Sequence, residues 1–199
     1  KLPAVDTKIA KTPAEAAEIA KKYGPVALKI SSPDVAHKSD AGGVKLNLSK
    51  APDIRKAFKE ILANVEAKVP GAKIDGITVS PMAGPGGAEV ILGVIRDPQY
   101  GPALMFGLGG IFTEIYKDVQ FCLLPAGEDE LKTMIRSIKG YPLLAGARGQ
   151  KPRDEKALIE TMKSLGRLAV DHPEFDQIDL NPVLVYEKGV KVVDFRIYL

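Results

Sequence analysis

The stretch PVALKISSPDVAHKSDAGGVKLNL, residues 25–48, places two short apolar segments on either side of a long polar loop. Val26–Ile30 is rich in branched and apolar residues, and Val44–Leu48 alternates between apolar and polar residues, as half-buried strands do. The loop between them contains serine, proline, aspartate and glycine, which favour turns. The sequence therefore predicts a strand, a long exposed loop and a second strand.

Two side chains in this stretch are candidates for chemistry. Lys29 interrupts the first apolar strand just before the loop, where an ammonium group can reach phosphate oxygens. The alternative is a lysine that extends to solvent from a half-exposed strand. His37 lies in the loop and can accept a phosphoryl group covalently, with Asp34 or Asp40 expected to orient its ring. The alternative is an ordinary surface histidine.

The pattern on either side predicts an α+β protein. Thr12-Pro13 has the residues of a helix start, and Gly24 ends that helix, while residues 51–69 place apolar side chains on one helical face. Further strands are expected at residues 74–79, 89–95, 104–108 and 119–124, and helices at 129–138 and 154–171. We expect two lobes with mixed or antiparallel sheets flanked by helices. Residues 1–80 form the smaller lobe and residues 81–199 the larger, with a break near Met82.

The end of the chain reads as a hairpin that turns at residues 187–189. Asp179 and Asn181 are two residues apart on its first strand, so their side chains share one face of the sheet. Asp194 on the returning strand is expected beside Asn181, because the midpoint of the two lies within the turn. Such oxygen ligands suit Mg²⁺, which takes few protein ligands and completes its shell with phosphate and water. A solvated hairpin face is the alternative.

Three glycine-rich stretches, residues 41–43, 84–87 and 107–110, are able to offer backbone N–H groups to phosphate. None has the pattern of a P-loop or of a dinucleotide fingerprint, and a tight turn is the alternative for each.

Composition excludes several classes of protein. The chain has 199 residues and a net charge of +3, and its lysines and arginines alternate with acidic residues, so we expect no nucleic-acid partner. No apolar run is long enough to span a bilayer, which predicts no membrane partner. Cys122, the single cysteine, lies in an apolar run and indicates a small buried hydrophobe in a reducing compartment. We therefore expect a cytoplasmic protein.

Taken together, these residues resemble the ATP-grasp subunit of ADP-forming acyl-CoA synthetases, and the acetate–CoA ligase branch fits best. The resemblance covers nearly the whole chain. It is carried by Pro25–Asp34, His37–Val44, Gly93–Pro102, Phe106–Phe112, Gly146–Gly149 and Asp179–Pro182.

The resemblance implies an ATP-grasp fold and a site for ATP or ADP. By it, Lys29 contacts the ATP phosphates from the smaller lobe, and Val79 to Met82 line the adenine. Glu89 reaches the ribose or the triphosphate. Ser80-Pro81 is a departure, since family members often have Gln-Glu there, and this affects the adenine contacts.

The resemblance also implies the metal site and the phosphoryl acceptor. Asn181 and Asp194 are the Mg²⁺ ligands, with Asp179 supporting them, and His37 is transiently phosphorylated. We expect the surrounding loop to move during turnover, because His37 must meet both the nucleotide and a phosphohistidine of the partner.

The implied reaction converts acyl-CoA, phosphate and ADP into acid, CoA and ATP, reversibly. This chain supplies the nucleotide end, and a CoA-binding alpha subunit, in an α2β2 heterotetramer, supplies the acyl-CoA end. Two alternatives stay open. One is a ligase subunit related to succinyl-CoA synthetase, and the other is a non-catalytic regulatory ATP-grasp module of a fused protein acetyltransferase.

Overall fold

The fold is that of a computed structural model, which describes residues 1–110 and 118–199 and, at Arg148, the backbone alone. The chain forms two compact units. One is Val5–Met82, and the other combines Lys1–Ala4 with Ala83–Leu199. The N-terminal residues join the second unit through the Val192 N–H, which donates to the Pro3 carbonyl at 3.0 Å. That the units correspond to the two functional lobes stays a prediction.

The first unit is a four-stranded antiparallel sheet with two helices on one face. Its strands run in the order β1-β4-β2-β3. The elements are β1 (Lys8–Ala10), α1 (Pro13–Ala20), β2 (Val26–Ser31), β3 (Val44–Leu48), α2 (Ala51–Lys68) and β4 (Gly76–Pro81).

Local signals explain the helices of the first unit. The Thr12 hydroxyl accepts a hydrogen bond from the Glu15 N–H at 3.1 Å, which caps α1 as its sequence predicts. Ile54, Phe58 and Ile61 lie at helical spacing in α2 and pack into the core shared with β2.

The second unit is a six-stranded antiparallel sheet in the order β10-β8-β5-β6-β7, with β9 paired to β8. Its helices cover one face, and the core between sheet and helices is aliphatic. The elements are β5 (Ala88–Asp97), β6 (Gly101–Leu108), β7 (Val119–Leu123), α3 (Glu128–Ser137), α4 (Tyr141–Ala145), a 3₁₀ helix (Ala147–Gly149), α5 (Glu155–Asp171), β8 (Gln177–Val185), β9 (Val190–Val192) and β10 (Phe195–Tyr198).

The short helix α4 is absent from the sequence-based expectation. Its start is fixed by Asp118, whose two carboxylate oxygens accept hydrogen bonds from the N–H groups of Lys139 and Gly140, each at 2.8 Å. Asp118 is itself 8% exposed. A five-residue helix held from a distant position has too little periodicity of its own to be predicted. In the described ranges, no helix has the length and apolar character needed to span a membrane.

Asp154 joins the start of α5 to the β8–β9 turn. One carboxylate oxygen accepts from the Ala157 N–H at 3.0 Å and the other from the Gly189 N–H at 2.8 Å. We expect Asp154→Ala to lower the free energy of unfolding by about 1–2 kcal/mol, because both donors lose their acceptor. Asp154→Asn keeps one acceptor oxygen and should lose less. Urea unfolding of the two variants measures the difference.

The same carboxylate predicts a pH dependence. Its hydrogen bonds to Gly189 and Ala157 hold the pKa of Asp154 below its ordinary value of 3.8. This contribution is therefore complete above the ordinary pKa and is lost as the pH falls through the lower folded-state value. The stability difference between the native chain and Asp154→Ala should shrink on acidification below about pH 4. A constant difference down to acid unfolding would contradict the assignment.

Candidate functional site

Lys29 lies on the face of the first sheet that the helices leave uncovered. Val26, Leu28 and Ile30 point into the helix-facing core, so Ala27 and Lys29 face the other way. Lys29 is 8% exposed. The interpretation as a solvent-directed lysine on a half-exposed strand is therefore wrong, and Lys29 is nearly buried on the sheet face opposite the helices.

His37 lies at an exposed position in a loop that is anchored on both sides. Val35 and Ala41 are 2% and 6% exposed and pack into the first core. The Ala41 N–H donates to the His37 carbonyl at 3.1 Å, and the Gly43 N–H donates to the Lys38 carbonyl at 2.7 Å. These contacts hold the backbone and leave the imidazole directed to solvent.

Among the described residues, the structure does not show the predicted contact between the His37 ring and the carboxylate of Asp34 or Asp40. Asp34 accepts a hydrogen bond from the Lys73 N–H at 2.7 Å, which fixes its carboxylate on the segment after α2. Asp40 contributes its backbone carbonyl to the Lys68 ammonium group. Within residues 1–110 and 118–199, neither carboxylate is hydrogen-bonded to the imidazole. The ring is therefore oriented by neither side chain in this conformation.

The segment expected to line the adenine begins inside the first core. Val79 is fully buried, packs with the helix-facing residues and pairs with Lys8 and Leu28 on the two neighbouring strands, so neither its side chain nor its backbone is exposed. The Met82 N–H donates to the Pro25 carbonyl at 2.9 Å. The Met82 side chain is half-buried.

Glu89 lines a cavity of about 550 Å³ within the second unit. The Gly109 N–H donates to the Glu89 carbonyl at 2.8 Å. A Cβ atom at Gly109 would lie 2.9 Å from Glu89 Cγ, so the close approach requires glycine there. The cavity is lined by Gly86, Gly87, Ala88, Glu89, Leu108, Gly109, Gly110, Leu143, Gln150 and Arg153.

The sequence analysis missed the cationic side chain in this cavity. The Arg153 guanidinium donates to the Gln150 side-chain oxygen at 2.7 Å. Its Nε is buried, and no acceptor for it is found in the part of the chain that the structure describes. Arg153 follows a short helix and a turn, a location that gives no periodic or motif signal from which its position is predictable.

The C-terminal hairpin has the register that the sequence predicts. The Asn181 N–H donates to the Asp194 carbonyl at 3.1 Å, and the Val193 N–H donates to the Pro182 carbonyl at 3.0 Å. The expected proximity of Asn181 and Asp194 is therefore confirmed. A shift in the β5–β8 register at this point and a cis Asn181–Pro182 peptide mark an irregularity in β8.

The three oxygen-bearing side chains of this hairpin are accessible. Asp179 pairs with Gly93 and lies on the sheet face away from the helices, since Leu180 is buried in the core. Asn181 is exposed, and Asp179 and Asp194 are half-buried. One Asp194 carboxylate oxygen accepts from the Phe195 N–H at 3.0 Å.

This donor set fits Mg²⁺. Among the described residues, no group of three or more histidine, cysteine, aspartate or glutamate side chains is placed to hold a metal ion. The described residues therefore form no site in which these side chains supply most of the metal ligands. One amide oxygen and one or two carboxylates match the way Mg²⁺ binds in part to protein and in part to phosphate.

The candidate residues are divided between the two units. The first unit contains Lys29, His37, Val79 and Met82, and the second contains Glu89, Asp179, Asn181 and Asp194. Two other motif residues, Ile111 and Phe112, lie outside the described residues, as does the side chain of Arg148.

Comparison with known proteins identifies the fold and the family. The family model described as an ATP-grasp domain matches residues 1–199. The chain is 46% identical over its full length to the beta subunit of acetate–CoA ligase [ADP-forming] I from Pyrococcus furiosus, and it covers 85% of that subunit. The chain belongs to the ATP-grasp family, among the ADP-forming acetate–CoA ligases.

This ATP-grasp chain is also similar to a longer relative and to a solved structure. Acetate–CoA ligase [ADP-forming] I of Archaeoglobus fulgidus is 50% identical over 192 residues. The match includes 96% of this chain but only 28% of that longer relative. The structure of Ca. Korarchaeum cryptofilum dinucleotide forming acetyl-coenzyme A synthetase 1, in complex with coenzyme A, Ca-AMPCP and HgCl+, has a TM-score of 0.95. It is 47% identical, with coverage of 100% of this chain and 86% of that chain. The predicted α+β class and the ATP-grasp fold are thereby confirmed.

Proposed function

We propose that this ATP-grasp chain is the nucleotide-binding part of an ADP-forming acetate–CoA ligase. The overall reaction converts acyl-CoA, phosphate and ADP into acid, CoA and ATP. The observation that carries the proposal is the similarity to a beta subunit of such a ligase over the full length of this chain. The accessible His37, the nearly buried Lys29 and the Asn181–Asp194 pair support it.

His37 is the proposed phosphoryl carrier. In the direction of ATP use, a neutral imidazole nitrogen attacks the γ-phosphorus, and the bond from that phosphorus to the β–γ bridging oxygen breaks. ADP leaves with the electron pair of that bond, and the imidazole proton is lost to solvent. The exposed ring on an anchored loop is suited to this role, because it is reachable from outside the fold.

Lys29 and Glu89 are the proposed nucleotide contacts. The Lys29 ammonium group neutralises phosphate charge, and its near-complete burial strengthens that interaction. Glu89 binds ribose hydroxyls or the triphosphate from the cavity that it lines. The segment from Val79 to Met82 is proposed to border the adenine.

Asn181 and Asp194 are the proposed Mg²⁺ ligands, with Asp179 as support. When bound, Mg²⁺ would neutralise negative charge on the phosphoryl group during its transfer. The residues themselves fix the position of the oxygens, through the backbone hydrogen bond between Asn181 and Asp194 and the Phe195 N–H that orients the Asp194 carboxylate.

A partner completes the reaction. We propose a CoA-binding alpha subunit in an α2β2 heterotetramer, and we place the assembly in the cytoplasm. The Pyrococcus relative is named as a beta subunit, and the Archaeoglobus relative is a longer chain that includes an equivalent region. Acyl-CoA and phosphate are used at the partner's end of the reaction.

Incubation with Mg²⁺ and γ-phosphate-labelled ATP tests the proposal. We expect label on the protein that is lost in acid and stable in base, as phosphohistidine is. Chelation of Mg²⁺ should prevent the labelling. If the chain binds ATP but stays unlabelled, alone and with a CoA-binding subunit present, it is a binding module and the proposed phosphoryl transfer is wrong.

A further inference from the structure

Two side chains of the β8–β9 hairpin converge on one backbone carbonyl. The Tyr186 hydroxyl, just beyond β8, donates to the Ala83 carbonyl. The Lys191 ammonium group, from β9, donates to the same carbonyl at 3.2 Å. It also lies 5.5 Å from the centre of the Tyr186 ring. The hairpin therefore holds Ala83 by two donors that also contact each other.

The Tyr186 ring also packs on the far end of the same segment. A Cβ atom at Gly87 would lie 3.2 Å from Tyr186 Cε1, so the ring lies beside Gly87 and leaves little room for a side chain there. Between these two ends, Gly84 and Gly86 have φ angles of +82° and +86°, and a Cβ atom at either would meet nothing within 4 Å. The Tyr186 hydroxyl also donates to the Gly84 carbonyl at 3.2 Å. Gly84 and Gly86 are otherwise exposed, and Tyr186 lies against the start and the end of the segment.

Along the chain, the segment from Ala83 to Gly87 lies between two residues of the proposed function. Met82, before it, is proposed to border the adenine, and Glu89, just after it, is proposed to reach the ribose or triphosphate. Gly86 and Gly87 themselves line the cavity that contains Glu89. A segment rich in glycine has many conformations when it is not restrained, and ordering it on ligand binding costs free energy.

We propose that Tyr186 and Lys191 are positioning residues that set nucleotide affinity by holding residues 83–87 in the conformation that nucleotide binding requires. This inference rests on the proposed function. The two side chains act through the backbone and need not touch the nucleotide. Their loss therefore weakens binding more than it slows phosphoryl transfer at saturating nucleotide.

The variants Tyr186→Phe and Lys191→Met test this in the full chain. Each removes one donor to the Ala83 carbonyl and keeps most of the side-chain volume. Calorimetric titration with Mg-ADP is expected to show dissociation constants raised roughly three- to tenfold. The rate of protein labelling at saturating ATP should stay within about twofold of the native rate. Lys191→Arg retains a cationic donor and should restore most of the affinity.

Matched controls come from the same region of the fold. Tyr198→Phe removes a half-exposed hydroxyl from β10, and Lys188→Met removes an exposed lysine from the β8–β9 turn. Neither residue hydrogen-bonds to residues 83–87, and both variants should bind Mg-ADP as the native chain does. The double variant Tyr186→Phe/Lys191→Met should weaken binding by less than the product of the single effects, because both donors serve one acceptor.

The outcomes separate this inference from the proposed function. If the native chain binds Mg-ADP and both variants bind it equally well, the positioning role is wrong and the proposed function stands. Slower labelling at unchanged affinity would also overturn the positioning role. A native chain that does not bind Mg-ADP would contradict the proposed function itself.

Discussion

The His37→Ala variant is expected to carry no label after incubation with Mg²⁺ and γ-phosphate-labelled ATP. Removing the nucleophile leaves no acceptor for the phosphoryl group, and a loss of about 10⁴-fold or more is usual for such a group. The fold should survive, because the loop is anchored by the side chains of Val35 and Ala41 and by backbone hydrogen bonds, none of which uses the imidazole. Labelling measures phosphoryl transfer to the variant, and ATP binding and thermal unfolding of the same preparation show whether the nucleotide site and the fold are retained.

The chain offers a matched control, since it has two histidines. His172 ends α5, where its Nδ1 lies 2.9 Å from a Glu174 oxygen and its ring stacks on Phe175. His172→Ala should be labelled like the native chain. Label that persists in His37→Ala and disappears in His172→Ala would transfer the role to the second histidine.

The parts of the fold with local signals are predictable from the sequence. The β2 and β3 strands lie where the apolar runs place them, and α1 begins at its Thr12 cap. The Asn181–Asp194 contact follows from antiparallel geometry, because a two-stranded register is set by the position of its turn. The β4 strand, in contrast, begins at Gly76 and extends to Pro81, two residues later than its apolar pattern indicates.

The contacts that the sequence analysis missed join residues far apart in the chain. Asp34 binds the Lys73 N–H instead of orienting His37, because a backbone donor from beyond α2 reaches its carboxylate. The Tyr186 hydroxyl reaches the Ala83 carbonyl across 103 positions. Such pairs depend on how elements pack, and no periodicity in a single sequence encodes them. The family motifs therefore identify residues such as His37 and Asn181, whereas contacts such as that of Tyr186 with Ala83 are found only in the structure.

The Asp194→Asn variant is expected to lose at least about a hundredfold in labelling rate, because it removes a negative oxygen ligand from the Mg²⁺ site. Asparagine keeps a side-chain oxygen for the Phe195 N–H, so the local backbone should be preserved. The Mg²⁺ concentration at half-maximal binding of ADP should rise. Calorimetric titration of ADP at several Mg²⁺ concentrations measures this independently of turnover.

A matched carboxylate on the same hairpin distinguishes ligation from a general change in charge. Asp176→Asn, at an exposed position just before β8, makes the same change in net charge outside the proposed ligand set. It should bind Mg-ADP and accept label like the native chain, because a charge this exposed is screened by solvent and salt. Equal losses in the two variants would mean that net charge rather than ligation governs binding, and the Mg²⁺ role of Asp194 would then be wrong. If Asp194→Asn alone loses both Mg²⁺-dependent ADP binding and labelling while unfolding at the native temperature, the carboxylate acts on the metal, since a structural role would reduce stability as well.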